Sequence, residues 1–403
     1  MYIQRAMENS IQRILKQYKV ILLTGPRQVG KTTLLKEKYG TKYKYVNLDN
    51  INDLTLAKND QQLFFRKFSL PLIIDEVQYA PELFRQIKYL IDQGNEKGQV
   101  ILTGSQTYNL LHGTSESLAG RIAILSMPSL SLREITNSRK NAPFLPSLTD
   151  IEVRGNLSWN SIWEIVQRGF MPILQDEVME WELYYSNYVK TYIEKDIRQS
   201  VNIKDESSFY KFLVALAART GQMLVMNELA AQVGVAAPTI KNWISLLETS
   251  GIIRLLMPYH NNFTKRLVKT PKVFFMDTGL VCFLLGWNTP QVLANGAMGG
   301  NIFETFVVSE IFKSYLNAGR DINNIFYYRD YDQKEIDLLI KDGNILHPIE
   351  VKVSATPQKK MIGNFAVLNN LKEVEIGPGA LICMCQEATF IDENNIALPV
   401  DCI

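Results

Sequence analysis

Lys31 and Thr32 close the spacing Gly25-x-x-x-x-Gly30-Lys31-Thr32 within the run YKVILLTGPRQVGKTTLLK, Tyr18 to Lys36. A triphosphate is a dense anion, and these residue types suit one. Gly25 and Gly30 permit the torsions that turn successive N–H groups inward, and a helix opening behind them adds its positive end. The Lys31 ammonium would reach the β- and γ-phosphates of ATP, and the Thr32 hydroxyl would hold Mg²⁺. Pro26, Arg27, Gln28 and Val29 complete the loop, and Thr33 follows it. Asp75 and Glu76 supply paired carboxylates. Asp75 would join the Mg²⁺ shell, usually through water, while Glu76 would accept a proton from the attacking water or orient it. Thr103 or Ser105 would lie between these two motifs and could sense the γ-phosphate; a helix-cap role suits Ser105 equally. Arg121 could stabilise transferred phosphate charge in its own subunit or a neighbour's, or form a surface ion pair.

The elements that must position these groups are legible. Val20 to Leu23, Leu72 to Ile74 and Val100 to Leu102 are short, continuous apolar runs, the pattern of strands covered on both faces. Tyr43 to Leu48 alternates, as a further strand does. Helical spacing covers Ile3 to Leu15, the stretch opening at Thr33, Asp53 to Phe68, and the segment after Pro81. The chain of 403 residues has room for about three domains. A net charge of +2 selects neither nucleic acid nor membrane, so any basic surface must be local. Cys282, Cys383, Cys385 and Cys402 lack a zinc-ligand spacing with the three histidines; Cys383 and Cys385, on one face of the apolar run ALICMC, are expected to be buried thiols. No apolar run approaches membrane-span length, which points to a cytoplasmic protein.

Further on, residues 126–150 are rich in Pro, Ser and Asn and read as a linker or irregular excursion at a domain edge. From Leu157 to Ala218 the pattern is helical and aromatic. Tyr184, Tyr185, Tyr188 and Tyr192 recur at helical spacing, which favours a packed face over base stacking. NELAAQVGVAAPTIKNWISLLETSGII places two short helices around Gly234, and an extended stretch turning at His260-Asn261-Asn262 follows. That is a helix-turn-helix with a wing. Docked on DNA, Thr239, Lys241 and Asn242 would face the major groove, and Lys265, Arg266, Lys269 and Lys272 would follow phosphates. Winged helices also serve as structural or protein-contact modules. NIFETFVVSEIFKSYL then reads as an amphipathic helix carrying Glu304 and Glu310. Two strands follow, joined at Asp342-Gly343. Asp337 points away from Ile336, Leu338 and Ile340, and Glu350 and Lys352 share one face.

The words GPRQVGKTT, LIIDEVQ, ILTGSQ, LAGR and LSLRE resemble the prokaryotic AAA-type P-loop ATPases that carry a large C-terminal region. RGFMP, YIEKDI, NIFETFVVSE, EIDLLI and IEVK extend the resemblance over nearly the whole chain. It implies an α/β fold with a parallel five-stranded sheet, an extra strand between the two Walker strands, and a catalytic glutamate at Glu76. It also implies a restriction-endonuclease-like core in the last unit. There Asp337 and Glu350 would bind Mg²⁺ or Mn²⁺, Glu304 would join them, and Lys352 would position the attacking water. The expected organisation is an ATPase domain at 1–135, a linker and helical region at 136–220, a winged helix at 221–290 and an endonuclease-like domain at 291–403. Expected partners are ATP and DNA, with a protein partner and an oligomer also compatible. Two readings follow: a DNA-associated ATPase gating a metal-dependent nuclease, or an ATP-dependent binding switch with an inert C-terminal domain.

Overall fold

The computed structural model describes residues 2–104, 118–138, 142–149, 157–193, 206–260, 270–371 and 374–403. The first unit is built on five strands: β1 (Val20–Thr24), β2 (Lys44–Asn47), β3 (Leu72–Asp75), β4 (Val100–Thr103) and β5 (Ile122–Ser126). Their order is β2-β3-β4-β1-β5, and every neighbouring pair is parallel. β4 therefore separates β1 from β3, as the resemblance implies. The three apolar runs are buried along their whole length, because both faces of the sheet are covered. Leu34, Leu35 and Ile11 pack with Ile21 and Ile73 on one side. Phe64, Leu83 and Ile87 pack with Leu22, Ile74 and Leu102 on the other. Parallel order brings the carboxyl ends of β1, β3 and β4 to one edge, the place where open α/β sheets bind ligands.

The middle of the chain is helical: Trp159–Arg168, Trp181–Tyr188 and Glu206–Ala217, then the pair Met226–Val233 and Ala237–Thr249. Gly234, with φ 82°, ends the first helix of that pair, and Pro238 lies in the first turn of the second. Strands β6 (Ile253–Leu256) and β7 (Lys272–Phe275) then pair antiparallel. Tyr184, Tyr185 and Tyr188 are buried and packed on each other, the packed face that their spacing predicts. The expected position of Tyr192 as a side chain lies outside the described residues.

The last unit places the helix Gly299–Asn317 against a mixed sheet. Its strands are β8 (Ile325–Arg329), β9 (Glu335–Asp342), β10 (Ile345–Lys352), β11 (Glu375–Ile376), β12 (Gly379–Cys383), β13 (Thr389–Phe390) and β14 (Asn395–Pro399). They run β13-β14-β12-β10-β9-β8, with β11 also paired to β10. β9 and β10 form an antiparallel hairpin in which Ile345 faces Asp342. Gly343, at φ 58°, holds the first turn position, as a two-residue hairpin turn requires. Cys383 and Cys385 are buried thiols, as expected.

Two expectations from periodicity are corrected by packing. The segment after β5 is irregular, but it is not an edge linker. Met127, Leu130, Leu132 and Phe144 are buried in the same core as Phe303, Phe306 and Ile311 of the long helix. That helix is not amphipathic either; it is buried nearly all round, Glu310 and Lys313 included, because β7 and the helices Trp159–Arg168 and Thr278–Leu285 pack on it as well as β10 of the C-terminal sheet. One continuous core runs from Ile21 through Trp163, Trp243 and Phe303 to Ile349, so the units are not beads on a string. Among the described residues no helix is long and apolar enough to cross a membrane.

Candidate functional site

At the carboxyl edge of the first sheet, Gly25 (φ 133°) and Gly30 (φ 93°) bracket the loop that leaves β1. A Cβ at Gly25 would lie 2.2 Å from the Met127 carbonyl oxygen, so only glycine fits. Gln28 also takes positive φ, while Pro26 and Val29 are buried and Arg27 half-buried. Lys31 opens the helix Lys31–Tyr39. Its ammonium donates to the Gly25 carbonyl at 2.8 Å and the Pro26 carbonyl at 2.7 Å. Burial pulls its pKa down to about 8, against the attraction of Glu76 and Asp75. Thr33 is exposed on the next turn.

Asp75 is the hub. Its Oδ2 accepts the Thr32 hydroxyl at 2.7 Å and the Tyr45 hydroxyl at 2.7 Å, and its Oδ1 accepts the Thr103 hydroxyl. Glu76 follows in the left-handed region at φ 57°, uncommon for a non-glycine residue, and its carboxylate accepts from Gln78. Burial, then the nearby Asp75, raises the Glu76 pKa, although Gln78, Lys31 and Arg27 pull it down. A carboxylate whose affinity for protons is raised is a better base for water. Hydroxyl and carboxylate oxygens are the hard donors that Mg²⁺ prefers, so Thr32 and Asp75 fit such an ion. Thr103 sits at this centre, and its Oγ1 also lies 3.4 Å from the Glu76 backbone N–H. The expected contribution of Ser105 lies outside the described residues.

Arg121 is not brought to the loop. β5 runs parallel to β1 with Ile122 level with Val20, so Arg121 stands at the opposite end of the sheet. A five-residue strand separates it from the loop by about 16 Å. Its guanidinium is forked onto Asp92 at 2.6 and 2.9 Å, the ion-pair alternative of the two readings. A residue that spacing did not reveal is Arg5. It is 3% exposed and donates to the Val29 carbonyl of the loop at 2.6 Å. It also donates to Glu134 at 2.8 Å, Pro128 O at 2.9 Å and Ser129 O at 3.3 Å. Beyond it, Leu132 N donates to Glu310 at 2.6 Å, and Lys313 donates to Leu130 O at 2.9 Å. The segment 128–134 thus straps the phosphate loop to the long helix.

In the middle unit, Lys241 and Asn242 are exposed and Thr239 is half-buried. Lys265, Arg266 and Lys269 lie outside the described residues. Lys272 is a correction: it is 3% exposed and cannot follow phosphates. Its Nζ lies 2.6 Å from Glu335 and 3.1 Å from Glu304. A Cβ at Gly251 would come within 3.1 Å of Pro26 Cδ, so the turn after the second helix of the pair lies against the phosphate loop.

On the hairpin, Asp337 and Glu350 are buried, at 8% and 5% exposure. Each adjoins the last pair of the β9–β10 ladder, Leu338–Ile349. Asp337 Oδ2 accepts the Val351 N–H at 2.8 Å. Lys352 Nζ lies 2.6 Å from Glu350 Oε1 and 3.6 Å from Asp337 Oδ2. Burial, and then the charge of Asp337, raises the pKa of both Glu350 and Glu304. Glu350 Oε2 is buried without a hydrogen-bond partner, the kind of orphan oxygen that a cation satisfies. Asp337, Glu350 and Lys352 thus meet as expected. Glu304 instead faces Lys272, and among the described residues no three acidic, His or Cys side chains form a cluster that could hold a metal.

A parallel sheet with a glycine loop, a buried lysine and a threonine-ringed aspartate defines the class of P-loop ATPases. Residues 17–136 match the AAA domain family. Residues 160–291 and 299–403 match two domains of unknown function, DUF8612 and DUF4143. The chain therefore carries an AAA-type P-loop ATPase domain. It is 26% identical over 392 residues to an uncharacterized protein of Mycobacterium tuberculosis, covering 97% of this chain and 82% of that one. An uncharacterized protein of Methanocaldococcus jannaschii is 24% identical over 328 residues, 73% of this chain and 67% of that one. Among solved structures, a Walker-type ATPase of Pyrococcus abyssi aligns at TM-score 0.43 and 16% identity, covering 69% of this chain and 94% of that one. The RuvB Holliday junction branch migration motor of Thermotoga maritima aligns at TM-score 0.30 and 21% identity, over 62% and 85% of the two chains.

Proposed function

We propose that the protein binds and hydrolyses ATP at the loop of residues 25–33, and that it uses the cycle to act on DNA. The observation that carries the ATPase reading is the convergence of Lys31, Thr32, Asp75, Glu76 and Thr103 at one sheet edge. Lys31 would exchange the Gly25 and Pro26 carbonyls for phosphate oxygens. Thr32 and Asp75 would hold Mg²⁺, which supplies charge neutralisation of the phosphates when bound. Glu76 would take the proton of the attacking water, and Thr103 keeps Asp75 oriented. Lys31→Ala should abolish most nucleotide binding, and Glu76→Gln should keep binding while slowing hydrolysis by about 10²- to 10⁴-fold. Normal turnover by folded Glu76→Gln protein would place the base elsewhere. Arg121 could serve only a neighbouring subunit, since its own loop is out of reach.

A second reading concerns the hairpin. The buried pair Asp337 and Glu350, with Lys352 beside them, supports metal-dependent phosphodiester cleavage by an endonuclease-like site. The helix pair and the β6–β7 hairpin support a winged helix that binds DNA, presenting the exposed Lys241 and Asn242. Incubating several DNA forms with and without ATP and Mn²⁺, and reading cleavage and phosphate release together, tests both parts. ATP-dependent binding without cleavage would favour a switch with an inert C-terminal unit.

A further inference from the structure

Four carboxylates crowd the hairpin: Glu304, Glu335, Asp337 and Glu350. Two buried or half-buried ammonium groups answer them, and they come from different parts of the chain. Lys352 belongs to β10 itself and sits on Glu350. Lys272 belongs to β7 of the middle unit, with its side chain only 4% exposed, and bridges Glu335 Oε1 and Glu304 Oε1. The carboxylate that would ordinarily complete a three-acid metal site is thus already bound to a fixed cation. One oxygen of this group is left unsatisfied: Glu350 Oε2 is buried without a partner.

We propose that Lys272 is a built-in cation that takes the place of a divalent ion beside Glu304. The hairpin then recruits a single ion, through Asp337 and Glu350, and Glu304 is not one of its ligands. The Lys352 side chain is 41% exposed, so its ammonium can turn to solvent when an ion reaches Glu350, whereas Lys272 is fixed between Glu304 and Glu335 with its side chain 4% exposed, and its charge repels an ion from Glu304. Lys272 also ties the site to the middle unit. It pairs with Leu256 in the β6–β7 register, and β6 follows directly on the helix pair. Displacement of that unit would withdraw the cation and change what the hairpin binds. The inference rests on the reading of the hairpin as a metal site.

The test uses full-length, nucleotide-free protein carrying Asp75→Asn, so that the phosphate loop lacks its carboxylate ligand and takes up no ion. Mn²⁺ binding is counted from the free-ion electron paramagnetic resonance signal, alongside the melting temperature. The parent should bind one ion, Asp337→Asn should lose it, and Glu304→Gln should change its affinity by less than about 3-fold. Lys272→Met should bind a second ion or tighten the first by about 10-fold, and Lys272→Met/Glu304→Gln should lose that gain. Lys272→Arg keeps the charge and should match the parent, which guards against simple misfolding. Loss of Mn²⁺ in Glu304→Gln alone, or an unchanged count and affinity in folded Lys272→Met, would overturn the role of Lys272. If neither the parent nor Lys272→Met binds Mn²⁺, the metal reading of the hairpin has itself failed and the inference falls with it.

Discussion

Arg5 lies at the back of the phosphate loop and makes four hydrogen bonds from a site 3% exposed. Replacing it with Met keeps much of the volume but leaves Glu134 buried and three carbonyls unpaired. Breaking a buried ion pair from one side costs about 3–5 kcal/mol, mostly through the stranded charge. The continuous core makes melting as one unit the working assumption. With about 2.1 cal/mol/K of unfolding entropy per residue over 403 residues, a loss of about 4 kcal/mol lowers Tm by about 5 °C. Glu134→Gln should cost less, because its side chain can still accept from Ala6 N or Ser131 N. The double variant should show coupling of about 1–3 kcal/mol in a cycle of urea unfolding midpoints. Arg5→Met should also raise KM for ATP, because the Val29 carbonyl loses the tether that holds the loop. Additivity within about 0.5 kcal/mol, or an unchanged Tm, would refute the idea that Arg5 and Glu134 act as one buried pair.

Lys31 makes the nucleotide site sensitive to alkali. Its folded pKa of about 8 lies below the ordinary 10.5, so the fold carries fewer protons there between those values and its contribution to stability rises with pH across that window. Phosphate needs the ammonium, so ATP affinity should instead fall as pH climbs past about 8, with proton uptake visible by calorimetry in two buffers; a flat affinity from pH 7 to 9 would refute it. Thr103→Val should slow turnover by about 10-fold or more with little change in stability-corrected binding, because Asp75 loses one of three hydroxyl donors; single-turnover kinetics would show it. Substituting Lys265, Arg266 and Lys269 together should weaken DNA binding and flatten its salt dependence by about one unit of log–log slope per lost phosphate contact. An unchanged slope would assign that stretch to protein packing.

Local chemistry made the nucleotide site readable from the chain alone. A glycine loop after an apolar run, and acids after another, are short-range patterns, and a parallel sheet then brings strand ends together whatever the detail of the helices. The hairpin was readable for the same reason: alternation along β9 and β10 assigns Asp337, Glu350 and Lys352 to one side, and the turn sets their register. What spacing left undecided was every contact made across the fold. Arg121 looked like a candidate for the nucleotide until the direction of β5 set it at the far end of the sheet. Lys272 looked like a wing cation until β7 carried it into the carboxylates of the last unit. Arg5, near the start of the chain, carries no motif, and Glu134, Glu310 and Lys313 sit in stretches read as linker or amphipathic surface. Residue type, period and turn chemistry act over a few positions, so the sequence alone determined the phosphate loop, the paired acids and the acidic hairpin. The partners of a buried charge are chosen by desolvation, which only the assembled core imposes, so the tertiary structure alone decided which of these charges face the two sites and which bind the units to each other.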